Sequence, residues 1–339
     1  MCLGEINHKR KGINMNQTLI NYMSKINFDK PQYHLNMKVF PLLTETKEGP
    51  VYLTLKQALV TNQLKVKETT QSGSVPELKV YNNGDIPVLL LDGEELVGAK
   101  QNRVINTSIL LKEKSETVIP VSCTEQGRWS YDSEYFHDSD EVMASDIRAK
   151  KMASVSSNLE YDNSYASNQS EVWEQIQSKA NRMNIHSRTM AMKDIYSSKT
   201  RDLENFMNAF SYVDRQQGML ACICGEVVGF DIVSSKAAYE QYHHKVLRSY
   251  AMEAMMNPAM EDNISTDNIA KEFLDKTTEC TEKKYESVGH GCDYRYEGQN
   301  IVGSCLFYSD TPIHTSFFRM GKQQESYPSF IRRRNYRTN

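Results

Sequence analysis

The stretch VLLLDGEELVGAKQNRV, residues 88–104, places a run of charged residues directly after a run of apolar ones. The four apolar residues at its start predict a strand that is buried on both faces, in the middle of the fold. Two polar sets follow: the carboxylates Asp92, Glu94 and Glu95, and the side chains Gln101, Asn102 and Arg103. Because successive side chains of a strand point to opposite faces, Glu94 and Glu95 are predicted to serve different purposes.

These groups suggest a chemistry. Acid, amide and guanidinium side chains at one strand end suit a ligand that carries phosphate or sugar. A carboxylate there could act as a general base or hold a divalent cation, and Arg103 could bind phosphate through two hydrogen bonds. The alternative is a charged hairpin whose groups pair with one another at the surface. The residues alone leave both explanations open, since no spacing in this stretch is unique to one reaction.

Two segments before this stretch, QLKVKE (63–68) and ELKVY (77–81), alternate between apolar and polar residues, as half-buried strands do. Two more strands are predicted after it, at VINTSILL (104–111) and ETVIPVSC (116–123). The sequence NNGD at 82–85 predicts a hairpin turn that joins ELKVY to the buried strand. Thr54 and Gln57 have the spacing of a capping box, which predicts a short helix after Thr54.

The middle of the chain, from about residue 139 to 213, changes to a helical pattern. Its Ser/Asn/Tyr-rich segment 156–170 predicts a loop, and Ser170 is the predicted N-cap of the next helix. The last third returns to strands, with a hairpin at Gly225. The predicted fold class is therefore α+β, with antiparallel sheets at both ends of the chain and a helical middle segment packed against them.

The predicted organisation is one domain between two terminal segments. Residues 1–35 are expected to form a partly flexible N-terminal extension, and residues 326–339 a basic tail. The domain at 36–325 is expected to have three parts: a β-rich lobe at 36–135, a helical segment at 136–213 and an α+β lobe at 214–325.

Composition argues against several classes of protein. A net charge of −3 argues against a nucleic-acid-binding protein, since such proteins carry a basic face. The seven cysteines are an odd number, which suits free thiols in a reducing compartment. The chain has no recognisable signal peptide or membrane-spanning run, so we expect a cytoplasmic protein without nucleic-acid or membrane partners. Its oligomeric state does not follow from the sequence.

A second polar cluster lies in CTEQGRW, residues 123–129. The glycine in this segment allows a turn that would present Glu125, Gln126 and Arg128. Cys123 would be a nucleophile only beside a base or a cation, and the alternative is a buried, inert thiol.

A third cluster is GHGCDYR, residues 289–295. His290 lies between two glycines, where an imidazole could act as acid or base, and Arg295 ends the motif. No second Cys/His pair at a standard distance accompanies it, so no metal site is predicted. The motifs GxxxxGK[ST], GxGxxG, GxSxG and HExxH are absent, which removes the simple assignments to P-loop NTPases, Rossmann enzymes, serine hydrolases and zincins.

The segments LLLDGEELVGAKQNRVINTSILL (89–111) and VIPVSCTEQGRW (118–129) resemble the ARG and rhodanese-phosphatase superfamily-associated protein domain, where ARG stands for ADP-ribosylglycohydrolase. The likeness extends to EVWEQI, VVGFDI, LRSYAMEAM and GHGCDYR, and so spans most of residues 36–325. The resemblance implies a link to ADP-ribose and NAD-consuming pathways. Relatives carry a Ser-Thr-Gly turn where this chain has HSRTM at 186–190, which puts any role of Ser187 or Thr189 in doubt.

The resemblance leads to the hypothesis of an intracellular enzyme, hydrolytic in type, that acts on ADP-ribose- or NAD-derived nucleotides or conjugates. Glu95 would be the general base or cation ligand, Glu94 would support it, and Arg128 would stabilise developing negative charge. The expected substrate-binding residues are Gln101, Asn102, Arg103, Gln126, His290 and Arg295. The alternatives are a non-catalytic nucleotide sensor of the same pathway and a protein-interaction scaffold. The enzyme hypothesis requires these clusters to meet in one crevice.

Overall fold

The computed structural model describes residues 13–257 and 267–321, so the predicted basic tail at 326–339 lies outside the described residues. The chain begins with β1 (Ile13–Asn14), α1 (Gln17–Met23), β2 (Ile26–Phe28), β3 (Gln32–His34) and β4 (Met37–Thr44). The region of the opening stretch contains β5 (Leu53–Thr54), α2 (Leu55–Val60), β6 (Leu64–Glu68), β7 (Glu77–Asn82), β8 (Val88–Leu90), β9 (Glu94–Gly98), β10 (Arg103–Ile105), β11 (Ile109–Leu111), β12 (Ser115–Cys123) and β13 (Phe136–Val142).

Four helices form the middle of the chain: α3 (Ser145–Asp162), α4 (Gln169–Arg182), α5 (Met192–Ser198) and α6 (Thr200–Ala209). The last third contains β14 (Gly218–Ile223), β15 (Glu226–Val233), α7 (Lys236–Ala254), α8 (Asp267–Thr277), β16 (Thr281–Glu286), β17 (Cys292–Gly298), β18 (Ile301–Tyr308) and β19 (Thr311–Arg319). Within the described residues, no helix is both long enough and apolar enough to cross a bilayer.

Three sheets organise the described strands. The largest has the order β1-β16-β17-β18-β19-β15-β14-β4-β2, with β3 also paired to β4. A six-stranded sheet has the order β13-β9-β10-β12-β7-β6, and a small sheet has the order β11-β8-β5. All pairs are antiparallel except β5 with β8. The predicted α+β class is confirmed, and the antiparallel pair β4–β14 places residues from both ends of the chain in one sheet.

The strand that opens the motif lies between two hydrophobic cores. Val88 and Leu90 belong to the core of the six-stranded and small sheets, here called the β-lobe core. Leu89 and Leu91 belong to the core shared by the helices and the large sheet, here called the helical core. Each such buried side chain contributes roughly 1.5–3 kcal/mol to the free energy of folding. The prediction of a strand buried on both faces is therefore confirmed.

The predicted hairpin at 82–85 is wrong. β7 lies in the six-stranded sheet and β8 in the small one, so the turn carries the chain from one sheet to another. Its main chain is held by other segments instead, through bonds from Asn83 N to the Gln63 carbonyl and from Lys114 N to the Gly84 carbonyl. The turn residues determine that the chain reverses here, but they do not determine which strands pair. β7 is half-buried and β8 is buried on both faces, so the two strands pack in different sheets.

The predicted loop at 156–170 is also wrong in its first half, which completes α3. Val155 and Leu159 are four residues apart and both are buried, so one helical face continues through this polar segment. The N-cap of α4 is Asn168, two residues before the predicted Ser170, and its side chain accepts a hydrogen bond from the backbone of Glu171.

Two local predictions are confirmed. The Thr54 side chain accepts from the backbone of Gln57, and the Gln57 side chain accepts from the backbone of Thr54, which completes the capping box. The β14–β15 hairpin turns at Cys224 and Gly225, whose φ angles are 49° and 77°. Both positive angles are those of the tight turns that match the twist of antiparallel strands.

Candidate functional site

The carboxylates that end the buried strand are themselves buried, and they pair with cations of distant helices. Asp92 accepts hydrogen bonds from Lys151 Nζ and from Arg148 Nε of α3. Glu94 accepts from Lys245 Nζ of α7 at 2.9 Å. The charges therefore attach two helices to the strand end, and they do not form the surface hairpin that was the alternative from sequence.

The Asp92 contacts belong to a larger set, here called the core network: Asp92, Ser108, Arg148, Lys151, Asp231, Tyr250 and His314. Arg148 binds Asp231 through two nitrogens at 2.7 and 3.0 Å, and Tyr250 donates to the same carboxylate at 2.8 Å. Burial opposes the ionisation of Asp231, but the Arg148 guanidinium and His314 hold its pKa well below the usual range. The core network therefore joins α3, α7 and the large sheet.

Three members of the core network have the residue types of a hydrolytic triad. His314 lies between Ser108, 2.7 Å from Nδ1, and Asp231, 3.1 Å from Nε2. The Ser108 hydroxyl also accepts the backbone N–H of Asp92 at 2.9 Å, and all three side chains are buried. Asp231 is in addition bound by Arg148 and Tyr250, so the polar atoms of the three side chains are all used within the core network. We therefore assign these three residues a structural role: they hold the strand end at Asp92 against the large sheet.

Glu95 and Arg103 lie on opposite faces of one sheet. In the β9–β10 register Glu95 is opposite Val104, and Arg103 is opposite Leu96. Cross-strand partners share a face, and Val104 belongs to the helical core whereas Leu96 belongs to the β-lobe core. The predicted general base and the predicted phosphate ligand therefore do not line one pocket.

The Glu95 carboxylate has its own environment. Burial raises its pKa to about 8, even though the neighbouring Thr124 and Ser139 hydroxyls act in the other direction. Its Oε1 atom accepts from the Thr124 hydroxyl at 2.7 Å, and its Oε2 atom has no partner among the described residues. At neutral pH this side chain is therefore mostly protonated.

Five of the predicted residues do come together, at the ends of β10 and β12: Gln101, Asn102, Arg103, Gln126 and Arg128. Gln101 contacts both the Gln126 carbonyl and the Arg103 guanidinium. Arg128 donates to Asn102 at 3.0 Å and to the Ala99 carbonyl at 2.7 Å. We call these five residues, with the neighbouring Glu68 and Glu125, the Arg103 cluster.

Arg128 and the segment 186–190 fix the shape of this cluster. Arg128 Nε donates to Glu125 at 2.9 Å, so its charge is already paired. The carbonyl of Thr189 accepts from the backbones of Gln126 and Gly127 at 3.0 and 2.9 Å. A Cβ at Gly127 would lie 2.9 Å from Thr189 Cα, so only glycine fits. The HSRTM segment therefore positions the loop through its backbone.

Arg103 is the residue of the cluster with unused hydrogen-bonding capacity. Its side chain is 0% exposed, and only NH1 makes hydrogen bonds. Its Nε and NH2 atoms have no hydrogen-bond partner among the described residues. The nearest carboxylate oxygen, Glu68 Oε1, lies 3.8 Å from NH2, beyond hydrogen-bonding distance. Burial lowers the pKa of Arg103, and unpaired buried donors cost about 1–3 kcal/mol each.

Glu68 was missed by the sequence reasoning. It is 5% exposed, and its Oε2 atom also lacks a partner within the described ranges. The signal was present in LKVKE, because the alternation that buries Leu64 and Val66 places Glu68 on the same buried face. An acid at an apolar position of a strand is a candidate functional residue.

A surface cleft borders Glu68. Its volume is about 670 Å³, and it is lined by Lys67, Glu68, Thr69, Thr70, Gln71, Lys79, Tyr81, Tyr131, Asp132, Ser133 and Glu134. The Trp129 ring lies 5.6 Å from the Arg103 guanidinium carbon and is 47% exposed. Lys100 Nζ lies 5.5 Å from the Trp129 ring and 5.2 Å from that of Tyr131. Half-exposed aromatic rings therefore cover the buried Arg103–Glu68 pair.

The remaining predicted residues make their contacts elsewhere. Arg295 is buried and donates to Asp293 at 2.7 Å and to Thr107 at 2.6 Å. His290 contacts Glu113 at 3.0 Å and stacks on Tyr308. Within the described residues neither contacts the Arg103 cluster, so the third polar motif of the sequence lies apart from it. Its Arg295 Nε and Asp293 Oδ1 atoms also lack a hydrogen-bond partner there.

Two further groups bear on chemistry. Cys123 faces Arg103 across the β10–β12 pair, and burial raises the pKa of its thiol to about 11, as expected for an inert thiol. In the part of the chain that the structure describes, no group of three or more His, Cys, Asp or Glu residues is arranged to hold a metal ion.

Comparison with known proteins identifies a family. A search of curated proteins and a search of solved structures return no significant match. The family model of the ARG and Rhodanese-Phosphatase-superfamily-associated Protein domain matches residues 25–318, which include both the Arg103 cluster and the core network. This match covers most of the chain, and the protein belongs to that family.

Proposed function

We propose that this protein binds an ADP-ribose-type nucleotide at the Arg103 cluster. One observation carries the proposal: two guanidinium nitrogens of Arg103 and one carboxylate oxygen of Glu68 are buried, close together and unpaired. A phosphate group would accept from the guanidinium, and a sugar hydroxyl would donate to the carboxylate. The exposed Trp129 ring beside them offers a surface on which a base could stack.

The family supports the choice of nucleotide. Its description associates the domain with ARG, the ADP-ribosylglycohydrolase superfamily. ADP-ribose carries phosphate, ribose hydroxyls and an aromatic base. These are the groups that Arg103, Glu68 and Trp129, respectively, could bind. The free thiols of all six cysteines among the described residues support a reducing, cytoplasmic location for this function.

Binding without turnover is the function that the geometry supports best. Glu94 is paired with Lys245. Glu95, whose pKa is raised to about 8 by burial, lies on the face of the sheet opposite to Arg103. Glu125 is held by Arg128. A sensor or binding module needs the cation and the acceptor of the Arg103 cluster, but it does not need a carboxylate for proton transfer.

Hydrolysis in the same cleft is the second candidate, and Glu68 is the observation that favours it. A carboxylate with a free oxygen beside a bound nucleotide could act as a general base towards water. In this version Glu68 takes the role that the sequence assigned to Glu95.

A fluorescence titration tests binding. The chain has two tryptophans, so the Trp173→Phe variant leaves Trp129 as the only indole reporter. We expect ADP-ribose to change its emission in a saturable way. Arg103→Gln in this background should weaken binding by about 10- to 100-fold, the range for a charged hydrogen bond. Arg215→Gln, at an exposed arginine, is the matched control and should bind normally.

The outcomes separate the candidates. Absence of saturable binding, or equal affinity in the Arg103→Gln variant, would contradict the proposal. Chromatography of the nucleotide after long incubation then distinguishes the two functions. Intact ADP-ribose indicates a binding module, whereas product formation that stops in Glu68→Gln indicates a hydrolase.

A further inference from the structure

We infer that Glu68 makes this site selective for nucleotides whose ribose keeps a free 2′-hydroxyl, and that it excludes nucleotides carrying a 2′-phosphate. The inference rests on the proposed nucleotide site and specifies the class of nucleotide that it accepts. It follows from the chemistry of the Arg103 guanidinium and the Glu68 carboxylate, and from their position beneath the Trp129 and Tyr131 rings.

The first step concerns what each group can accept. A carboxylate oxygen accepts hydrogen bonds and repels anions, whereas a guanidinium only donates. A ligand made of phosphate alone would therefore satisfy Arg103 and leave Glu68 Oε2 without a partner. A ligand that also carries a hydroxyl satisfies both groups at once, so the pair selects a molecule with an anionic group next to a hydroxyl group.

The second step concerns where the Glu68 oxygen lies. A Cβ built on Gly73, which has φ +80°, would be 3.5 Å from Glu68 Oε2 and 3.2 Å from Trp129 Cζ2. The same point is 3.1 Å from Lys100 Cδ. The free oxygen therefore lies within a few ångströms of the exposed indole. A base stacked on Trp129 would bring its own ribose next to Glu68.

The third step concerns the charges that a second phosphate would meet. Of the nearby cations, Arg128 is paired with Glu125, and Lys100 donates to the Ser72 carbonyl while covering two aromatic rings. Lys67 and Lys79 also line the cleft, but they lie on the opposite face of the β6–β7 pair from Glu68. On the Glu68 face Arg103 is the cation with free donors, and the phosphate that every such nucleotide carries uses them. A 2′-phosphate would then face Glu68 without a counter-charge, and juxtaposed like charges oppose binding strongly.

The test compares three ligands that differ only at the ribose 2′ position: ADP-ribose, its 2′-deoxy form and its 2′-phosphate. We expect the full-length protein to bind ADP-ribose about 10-fold more tightly than the deoxy form and about 100-fold more tightly than the phosphate. In Glu68→Gln the preference over the 2′-phosphate should shrink to less than about 5-fold, mainly because the 2′-phosphate binds better.

Glu77→Gln is the matched control, since Glu77 is an exposed acid on the neighbouring strand β7. This variant should keep the wild-type preference, and thermal melting should show that both variants are folded. Equal affinity of the wild type for ADP-ribose and its 2′-phosphate would overturn the inference but leave nucleotide binding intact. Unchanged preference in a folded Glu68→Gln variant would also overturn it. If none of the three ligands binds, the proposed function itself is refuted.

Discussion

Two buried charge clusters of this protein differ in how completely the fold pairs them. In the core network, around Arg148 and Asp231, no buried side-chain nitrogen or oxygen lacks a partner among the described residues. In the Arg103 cluster, three such atoms on Arg103 and Glu68 lack one. Arg103 and Glu68 are buried, as are the members of the core network. Burial of charge is therefore common to both clusters, and completeness of pairing is what differs between them.

The largest effect is expected from breaking the complete network. Arg148→Met removes the cation that bridges Asp92 and Asp231 and leaves those buried carboxylates with fewer partners. We expect the free energy of unfolding to fall by about 3–5 kcal/mol, the usual cost of breaking a buried pair. Urea denaturation measures it. The exposed pair Lys56–Asp140 supplies the control, because Lys56→Met should cost less than about 1 kcal/mol.

A loss of similar size in both variants would show that the core network stabilises the fold no more than an exposed ion pair does. Complete pairing would then not mark a cluster that stabilises the protein.

The second prediction concerns how the stability of the protein depends on pH through Glu95. Glu95 also has an unpaired oxygen, but a bound proton compensates for its burial, since its pKa is raised from 4.5 to about 8. The folded state keeps this proton while the unfolded state loses it. The contribution of Glu95 to the free energy of unfolding is therefore fully present below pH 4.5. It is lost as the pH rises towards 8, by an amount on the order of 3 kcal/mol.

Glu95→Gln keeps the size and hydrogen bonds of the neutral acid but cannot ionise. We expect its urea midpoints, measured from pH 5 to 8, to fall less steeply than those of the wild type, whereas Glu77→Gln should follow the wild type. Parallel curves for wild type and Glu95→Gln would show that Glu95 titrates at its ordinary pKa.

The smallest change in stability is expected at Arg103. Its guanidinium makes hydrogen bonds through NH1 alone, and methionine fills a similar volume without unpaired donors. Arg103→Met should therefore alter the free energy of unfolding by less than about 1 kcal/mol, in contrast to Arg148→Met. Urea denaturation of the two variants in parallel makes the comparison. A loss at Arg103 as large as at Arg148 would make Arg103 a structural residue.

Much of the Arg103 cluster could be predicted from the sequence because its parts are close along the chain. β10 and β12 pair directly, so the polar residues at their ends, Gln101 to Arg103 and Gln126 to Arg128, meet without a long-range choice. The separation of Glu94 from Glu95 likewise followed from strand alternation, and the register confirms that neighbouring side chains diverge. Glu68 obeyed the same alternation, so its burial was predictable too.

The partners of the charged residues were not predictable in the same way. Lys151 and Lys245 lie 59 and 151 residues from the carboxylates they bind. Helical periodicity places such residues on a helix face but does not say which strand that face will meet. The same limit explains the wrong hairpin at 82–85, where turn chemistry was clear but the choice of sheet was not.

By itself, the sequence determined the α+β class, the doubly buried strand and the polar loops beside it, because periodicity and turn chemistry act between residues that are near neighbours. Only the tertiary structure decided which charges are neutralised inside the protein and which are left with free hydrogen-bonding atoms. That outcome depends on distances between side chains far apart in the chain. The pairing of Asp92 with α3, and the incomplete pairing of Arg103 with Glu68, are both results of how the sheets and helices pack.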